Sequence, residues 1–303
     1  MEFDIGKMVA ARAVLIAGPT ASGKSALALD LADRLHGAGR EPVIVNADSM
    51  QVYSGLRILT ARPDEAELAR FPHRLYGHAD PAEAYSTGQW LRAVGELLAK
   101  MAEKEIPVIA GGTGLYFRAL TEGFAAIPDI PDDVRASYRL QLSRAGPEAL
   151  HVILAGRDPQ AADQIKRSDA QRIVRALEVL EATGRSILDW QSRQAGDAVL
   201  PLDGVERFVV QPDRGRLYTS IDQRFDRMVE AGAVAEVQQF LSLGLDPDLP
   251  AMKAIGVREF SQVLSNQLAL ADAIALAKTR TRQYAKRQMT WMRNQMSDWP
   301  RIR

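Results

Sequence analysis

Residues 18–25 have the types and spacing of a phosphate-binding loop. Gly18 and Gly23 bracket four residues and are followed by Lys24 and Ser25. The glycines let the backbone wrap with its N–H groups directed inward, and a helix that begins near Lys24 directs the positive end of its dipole at an anion. Lys24 adds a charge, and the Ser25 hydroxyl is a ligand for Mg²⁺, the expected cofactor. The residues expected to bind phosphate groups are Gly18, Pro19, Thr20, Ala21, Ser22, Gly23, Lys24 and Ser25.

Short apolar runs predict the strands that position this loop. Residues 13–17 lead into the loop, residues 42–47 end at Asp48, and residues 106–110 end at a Gly-Gly-Thr turn that contains Thr113. Strands that alternate with helices through short connections predict a parallel sheet covered by helices. Because ligands bind at the carboxyl ends of such strands, we expect Asp48 beside the phosphate-binding loop.

Asp48 is the first candidate catalytic residue. An acid at a strand end can hold Mg²⁺ or accept a proton from a nucleophile, and the alternative is a turn or helix cap. The turn at 111–113 contains no acid at the place where an ATPase usually carries an aspartate for Mg²⁺, which argues against ATP hydrolysis. Gly111 and Gly112 favour close approach of the backbone to a ligand, with a simple tight turn as the alternative.

Arginines in two predicted helices are further candidates. Arg224 is placed to close over a diphosphate, and its alternative is an ion pair with Asp222 or Asp226. Arg172 and Arg175 share one face of a helix, where they bind RNA or form an ordinary charged face. Ile173, Val174, Leu177 and Leu180 can form the buried stripe of the same helix.

Composition bounds the other possibilities. The 303 residues include 38 basic and 38 acidic side chains and no cysteine, which excludes disulfides and thiolate metal sites. Residues 278–303 hold eight basic residues and one acid, a pattern typical of either an RNA-binding surface or a solvated helix face. The four histidines lack metal-ligand spacing, and no apolar run is long enough to cross a membrane. We expect a monomeric cytoplasmic protein.

The order of predicted elements divides the chain. Residues 1–126 and 205–303 predict an α/β core with a P-loop NTPase-like parallel sheet covered by helices and a helical C-terminal region. Residues 127–204 predict a helical insertion domain with helices at 132–145, 147–155, 159–166 and 169–183, followed by a polar linker at 194–204. Helices are also predicted at 217–243, 252–264 and 269–294.

Several of these segments together resemble the tRNA dimethylallyltransferase (tRNA isopentenyltransferase) family in its bacterial form. The resemblance covers nearly the whole chain, and two segments depart from the usual pattern. Segment 58–63 has Leu59 in place of glycine and Arg62 in place of lysine, and segment 256–259 has Val257 in place of tyrosine. The matching segments are 18–25 (GPTASGKS), 48–53 (DSMQVY), 72–75 (PHRL), 111–116 (GGTGLY), 169–179 (DAQRIVRALEV), 221–228 (IDQRFDRM), 254–260 (AIGVREF) and 281–291 (TRQYAKRQMTW).

The resemblance implies transfer of a prenyl group from dimethylallyl diphosphate to a tRNA adenine next to the anticodon, with diphosphate as the leaving group. It implies catalytic roles for Asp48, Lys24, Thr113 and Arg224, with Asp48 as the proton acceptor. The residues implied to contact the tRNA anticodon stem-loop are Asp48, Ser49, Met50, Gln51, Thr113, Arg135, Gln171, Arg172, Ile173, Val174 and Arg175.

Three other functions remain compatible with parts of the sequence. A small-molecule or nucleotide kinase has the same loop, a free-nucleotide prenyltransferase needs no tRNA, and an RNA-binding switch needs no catalysis. The prenyltransferase interpretation alone accounts for Asp48, Thr113 and the arginine clusters together.

Overall fold

The computed structural model describes residues 3–125, 127–192 and 197–303. The chain divides into two compact units, Met1–Thr121 with Val199–Arg303 and Glu122–Ala198. The sequence placed the boundaries of the insertion at residues 127 and 204. The predicted boundary at residue 126 and the start of the predicted linker at 194–196 lie outside the described residues.

The first unit contains the sheet and most of the helices. Its elements in the described ranges are α1 (Ile5–Ala10), β1 (Ala13–Ala17), α2 (Lys24–Gly37), β2 (Glu41–Asn46), α3 (Glu65–Arg70), β3 (His73–Arg74), α4 (Thr87–Ala99), β4 (Glu105–Gly111), α5 (Gly114–Glu122), β5 (Val205–Val210), α10 (Arg214–Glu230), α11 (Ala233–Leu241), a 3₁₀ turn (Ala251–Lys253), α12 (Val257–Leu264), α13 (Leu270–Gln295) and β6 (Arg301–Ile302). The labels α6 to α9 belong to the second unit.

Within the described ranges, six parallel strands form one sheet in the order β3-β2-β4-β1-β5-β6. All five residues of β1 are buried, as expected for a central parallel strand with helices on both faces. Leu15 packs in the core on one face, and Val14 and Ile16 pack in the core on the other, because successive side chains of a strand alternate. The predicted parallel sheet covered by helices is confirmed.

Glycines break two of the helices that the sequence predicted as continuous. The predicted helix 217–243 is two helices, α10 and α11, because Gly232 has a φ of 97° between them. The predicted helix 252–264 is a 3₁₀ turn followed by α12, with Gly256 at a φ of 105°. Positive φ angles are open to glycine, and neither break disturbs the apolar pattern of the flanking residues. Ser86 caps the N-terminus of α4, since its hydroxyl accepts the N–H of Gln89.

The second unit is helical and has its own core. Helix α6 (Asp132–Arg157) bends at Gly146, whose φ of 77° separates two helical segments, as the sequence predicted. The helices α7 (Pro159–Gln164), α8 (Ala170–Thr183) and α9 (Ile187–Ser192) follow. His151 is buried and bonds the carbonyl oxygens of Ala162 and Ile165, a structural role that the absence of metal-ligand spacing anticipated. In the described residues of both units, no helix combines the length and apolar character that a membrane span requires.

Candidate active site

The phosphate-binding loop joins β1 to α2 at the carboxyl end of the sheet. Gly23 has a φ of 88°, and a Cβ atom on Gly18 would lie 2.7 Å from the Ser22 hydroxyl and 3.2 Å from the Val210 carbonyl oxygen. Both positions therefore require glycine. The Ser22 hydroxyl oxygen is buried and has no hydrogen-bond partner among the described residues. Because buried polar groups are normally paired, this hydroxyl points to a ligand held by the loop.

Lys24 is the first residue of α2, and its side chain is almost fully buried. Burial lowers the pKa of its ammonium group to about 8, the negative charge of Asp48 acts in the opposite direction, and the charge of Arg224 lowers the pKa further. An ammonium group that burial destabilises gains from an anionic partner. Lys24 is therefore suited to bind a phosphate group next to Asp48.

Arg224 reaches the loop from α10. Its guanidinium donates a hydrogen bond to the Thr20 hydroxyl. Burial lowers its pKa to about 10, and Asp48 again opposes the shift. The two aspartates on α10 have other partners, because Asp222 pairs with Arg282 and Asp226 pairs with Lys278, each at 2.6 Å. The structure therefore does not support the alternative of an ion pair between Arg224 and either acid.

Asp48 follows β2 and is 8% exposed. Its N–H donates to the Asn46 side-chain oxygen at 2.8 Å, and its carbonyl oxygen accepts the Asn46 amide at 3.0 Å. One carboxylate oxygen, Oδ1, accepts the N–H of Met50 at 2.9 Å. The carboxylate thus closes a local turn with one oxygen, and its charge affects both Lys24 and Arg224.

Thr113 lies at the end of β4 and joins the segment that follows Asp48. Its hydroxyl accepts the N–H of Ser49 at 2.9 Å and donates to the Ser49 hydroxyl at 3.2 Å. The glycines before it pack on protein. A Cβ atom on Gly111 would lie 2.0 Å from the Ala47 carbonyl oxygen, and one on Gly112 would lie 2.2 Å from the Gln288 amide nitrogen. Close approach within the protein, and not to a ligand, thus accounts for these two glycines.

A cavity of about 280 Å³ lies beside these groups. It combines charged and hydroxyl groups with an apolar wall, and most of that wall comes from α10 and from the segment around residue 254. Both segments carry the family resemblance, but the sequence did not predict that they line an apolar wall. Its lining residues are Thr20, Asp48, Ser49, Met50, Leu59, Thr60, Ile221, Arg224, Phe225, Met228, Lys253, Ala254, Ile255, Thr281, Tyr284 and Arg287. The cavity can take a ligand with an anionic end and an apolar end.

Gln288 on α13 is the main site residue that sequence reasoning missed. Its Oε1 accepts the N–H of Thr20 at 2.9 Å, and its Nε2 donates to the Gly112 carbonyl oxygen at 2.9 Å. One buried amide thus links the phosphate-binding loop to the turn after β4. The available signal was the segment 281–291, in which Tyr284 and Gln288 lie four residues apart and hence on one helix face.

The basic C-terminal helix is partly neutralised by ion pairs within the first unit. Lys278 and Arg282 pair with the α10 acids, and Arg280 pairs with Glu259, which is almost fully buried. Arg287 lies over the ring of Tyr284 at 5.7 Å. The three ion pairs therefore hold α13 on α10 and α12. The structure does not support the interpretation of the whole segment as one open RNA-binding surface.

The predicted tRNA-binding residues fall into two groups. Asp48, Ser49, Met50 and Thr113 lie together in the first unit, whereas the Gln51 amide is bonded to the carbonyl oxygens of Thr60 and Ala61. The others belong to the second unit, where Arg172 is 75% exposed and pairs with Asp169, Arg175 pairs with Glu178, and Arg135 pairs with Asp132; Gln171 is exposed.

Ile173 and Val174 are buried in the core of the second unit. This placement agrees with the apolar stripe of α8 and contradicts a contact between their side chains and tRNA. The expectation that these two side chains contact tRNA is therefore corrected. The resemblance implied the whole segment from Gln171 to Arg175, but helical geometry turns these two side chains inward.

The residues present fit a magnesium ion only together with phosphate oxygens. Ser25 lies in the first turn of α2 and is exposed, so its hydroxyl is accessible. Among the described residues, no group of three His, Cys, Asp or Glu side chains could hold a metal ion. Mg²⁺ is commonly held by one or two protein oxygens with substrate phosphates and water, and a Ser25 hydroxyl suits that mode.

The sheet, the phosphate-binding loop and the adjoining cavity define a P-loop-type α/β protein. The IPP transferase family model matches residues 51–295, and an isopentenyl transferase model matches residues 11–80. The chain therefore belongs to the IPP transferase family, and the resemblance found in the sequence motifs is confirmed.

Individual relatives agree with this family. The tRNA dimethylallyltransferase of Mesorhizobium japonicum is 54% identical over 99% of this chain and 92% of its own, and that of Agrobacterium fabrum is 52% identical over 96% of each chain. The tRNA isopentenylpyrophosphate transferase of Bacillus halodurans is 32% identical, with a TM-score of 0.64 over 96% of this chain and 89% of its own. A eukaryotic dimethylallyltransferase acting on tRNA gives a TM-score of 0.75 at 28% identity, over 92% and 69% of the two chains.

Proposed function

We propose that this protein transfers the dimethylallyl group of dimethylallyl diphosphate to the exocyclic amine of the adenine on the 3′ side of the anticodon, in tRNAs that read codons beginning with U. Diphosphate is released. The protein acts as a monomer in the cytoplasm, with the tRNA anticodon stem-loop as its partner. The relatives named tRNA dimethylallyltransferase support the reaction type.

One observation carries the proposal to this reaction. The same cavity is lined by Thr20 of the phosphate-binding loop, by the Asp48 carboxylate and by an apolar wall. A prenyl diphosphate has an anionic end and an apolar end, and the two chemical characters of the cavity match it.

The proposed reaction forms one bond and breaks one. The adenine amine attacks the prenyl carbon that carries the diphosphate, the bond between that carbon and the diphosphate oxygen breaks, and the amine loses a proton. Asp48 accepts that proton as general base. Lys24, Arg224 and the N–H groups of the loop stabilise the negative charge that grows on the departing diphosphate.

Ser25, together with diphosphate oxygens, would hold Mg²⁺, and the ion would supply further charge stabilisation for the leaving group. Lys24 and Arg224 bind the diphosphate. Burial lowers the pKa of both groups, and a bound anion would offset that destabilisation of their charged forms. Thr113 orients the segment after Asp48 through its bonds to Ser49. The target base leaves its stack to reach Asp48, and the exposed Arg172, with Arg175, Arg135 and Gln171, binds the RNA.

The test is transfer of labelled dimethylallyl from its diphosphate to unmodified tRNA by the purified protein with Mg²⁺. We expect label on the adenine next to the anticodon and release of diphosphate. AMP in place of tRNA tests the free-nucleotide alternative, and γ-labelled ATP tests the kinase alternative. Label on AMP but not on tRNA, or labelled phosphate on an acceptor, contradicts the proposal.

A further inference from the structure

Leu59 belongs both to the cavity wall and to the main apolar core of the first unit. Only 7% of its surface is exposed. Asp48 and Arg224 line the same cavity, and apolar residues of α10 accompany Leu59 in its wall. A ligand that places its phosphates at Arg224 and Thr20 therefore meets this wall with its apolar part.

Leu59 lies directly on Gly256. A Cβ atom built on Gly256 would be 2.5 Å from one Leu59 methyl group and 3.2 Å from the other. Gly256 also has a φ of 105°, so two independent requirements exclude a side chain there. The Leu59 side chain therefore packs against the bare backbone of Gly256. The next residue, Val257, is buried in the same core.

The backbone of Leu59 is fixed from α11. The Glu236 carboxylate accepts three successive N–H groups, those of Arg57 at 2.7 Å and of Ile58 and Leu59 at 2.8 Å each. On the other side of Leu59, the Gln51 amide donates to the carbonyl oxygens of Thr60 and Ala61. Charge-assisted bonds of this kind are stronger than neutral ones, so the Leu59 segment is a rigid part of the wall.

We propose that Leu59 determines the length of the prenyl group that the cavity accepts and that Glu236 positions it. The proposal rests on the proposed function for the chemical nature of the donor. A dimethylallyl group fits in front of the Leu59 side chain, whereas a geranyl group needs the volume that this side chain occupies. No neighbouring side chain can take over that volume, because Gly256 has none and the backbone of residues 57–59 is fixed.

The test compares dimethylallyl and geranyl diphosphate as donors to unmodified tRNA. The proteins are the wild type, Leu59→Ala, Leu59→Val and Leu56→Ala. Leu56 is a matched control because it lies in the same segment and core but does not line the cavity. We expect the geranyl-to-dimethylallyl ratio of kcat/KM to rise by about tenfold or more in Leu59→Ala, since pocket contacts discriminate by about this factor per methylene. A smaller rise is expected in Leu59→Val, and none in Leu56→Ala.

Glu236→Gln tests the positioning role. Glutamine keeps one carbonyl oxygen as an acceptor but lacks the negative charge, so the Leu59 segment is held less firmly. We expect the geranyl-to-dimethylallyl ratio of kcat/KM to rise, but less than in Leu59→Ala. The thermal midpoint of each variant is recorded, because a purely structural role of Leu59 lowers that midpoint without changing donor preference.

Calorimetry measures the affinity of the protein for each of the two diphosphates without any transfer step. If the wild type binds dimethylallyl diphosphate but does not label tRNA, the proposed function fails, while a gain of geranyl diphosphate binding in Leu59→Ala or Leu59→Val still supports the role of Leu59. An unchanged ratio and unchanged binding in both Leu59 variants overturn this inference, as does an equal change in Leu56→Ala.

Discussion

Gln288 accepts the backbone N–H of Thr20 from a position 268 residues further along the chain. Its amide nitrogen at the same time donates to Gly112, and the side chain is buried. The phosphate-binding loop therefore has a fixed distance to the turn that carries Thr113. The α13 helix controls the geometry of a loop that the sequence motif places wholly in residues 18–25.

Gln288→Glu tests this link. A carboxylate accepts from Thr20 but cannot donate to Gly112, and it places a negative charge beside the loop. We expect the free energy of unfolding to fall by about 1–3 kcal/mol, the cost of an unpaired buried polar group, and donor binding to weaken by about tenfold or more. Calorimetry and denaturant unfolding measure the two effects. Gln283→Glu, on the exposed side of α13, should change neither.

Asp48→Asn separates catalysis from donor binding. The substituted side chain can still accept the N–H of Met50, but it cannot take a proton from the adenine amine. We expect kcat to fall by about 10²–10⁴-fold, the usual contribution of a general base, while dimethylallyl diphosphate still binds. Single-turnover transfer and calorimetry measure the two quantities. Full activity of a folded Asp48→Asn protein would reduce Asp48 to the turn-closing role seen at Oδ1.

Lys24 should take up a proton when the donor binds near pH 8. Its pKa in the free protein is lowered to about 8, so at pH 8 Lys24 is neutral in about half of the molecules. A bound anion favours the charged form and raises this pKa. We expect proton uptake at about pH 8, little uptake at about pH 6, and weaker donor binding as pH rises above 8. Calorimetry in buffers of different ionisation enthalpy measures it, and Lys24→Arg should bind without uptake because arginine stays charged.

Gly111→Ala should damage the site, since the added methyl group would meet the Ala47 carbonyl oxygen at 2.0 Å. Backbone cannot yield there without disturbing the pairing of β2 with β4. We expect a loss of several kcal/mol of stability, in the range of severe overpacking. Gly95→Ala in α4 is the control, because its methyl group would be 3.6 Å from Val199 and helices favour alanine by about 1 kcal/mol. Thermal unfolding of the two variants provides the comparison.

Arg172→Ala should weaken tRNA binding and leave donor binding unchanged. The side chain is 75% exposed on α8. Loss of one phosphate contact makes the negative slope of log K for tRNA binding against log salt concentration shallower by about one. Binding titrations at several salt concentrations measure this slope. Arg34→Ala on α2 removes a partly exposed arginine outside the expected RNA-binding set and should leave the slope as it is. Equal effects of the two variants would show only a change in net charge.

The sequence predicted β1, β2 and β4 because each is an apolar run bounded by turn residues. It missed β3 and β6, which are two residues long and exist only through pairing, such as Ile44 with His73 and Val210 with Ile302. No periodicity can be seen in two residues. The break at Gly232 was missed for a different reason, since the apolar pattern continues on both sides of it and only the backbone angle changes.

The sequence predicted those parts of the site that lie within one short segment or directly after a strand. The loop and Asp48 follow strands directly, so strand order alone brings them together. The apolar wall and Gln288 come from helices that lie far away in the chain, and their contribution depends on tertiary packing. Glu236 is a further example, because its three backbone partners lie about 180 positions earlier in the chain.

The position of β1 in the sheet has a consequence for synthesis. Its two neighbours are β4 and β5, and the whole second unit separates these two strands in the sequence. As the chain emerges from the ribosome, one edge of β1 stays open until residues 205–210 appear, whereas residues 122–198 are continuous and can fold first. The phosphate-binding loop gains its hydrogen bond to Gln288 only after 268 further residues have been made.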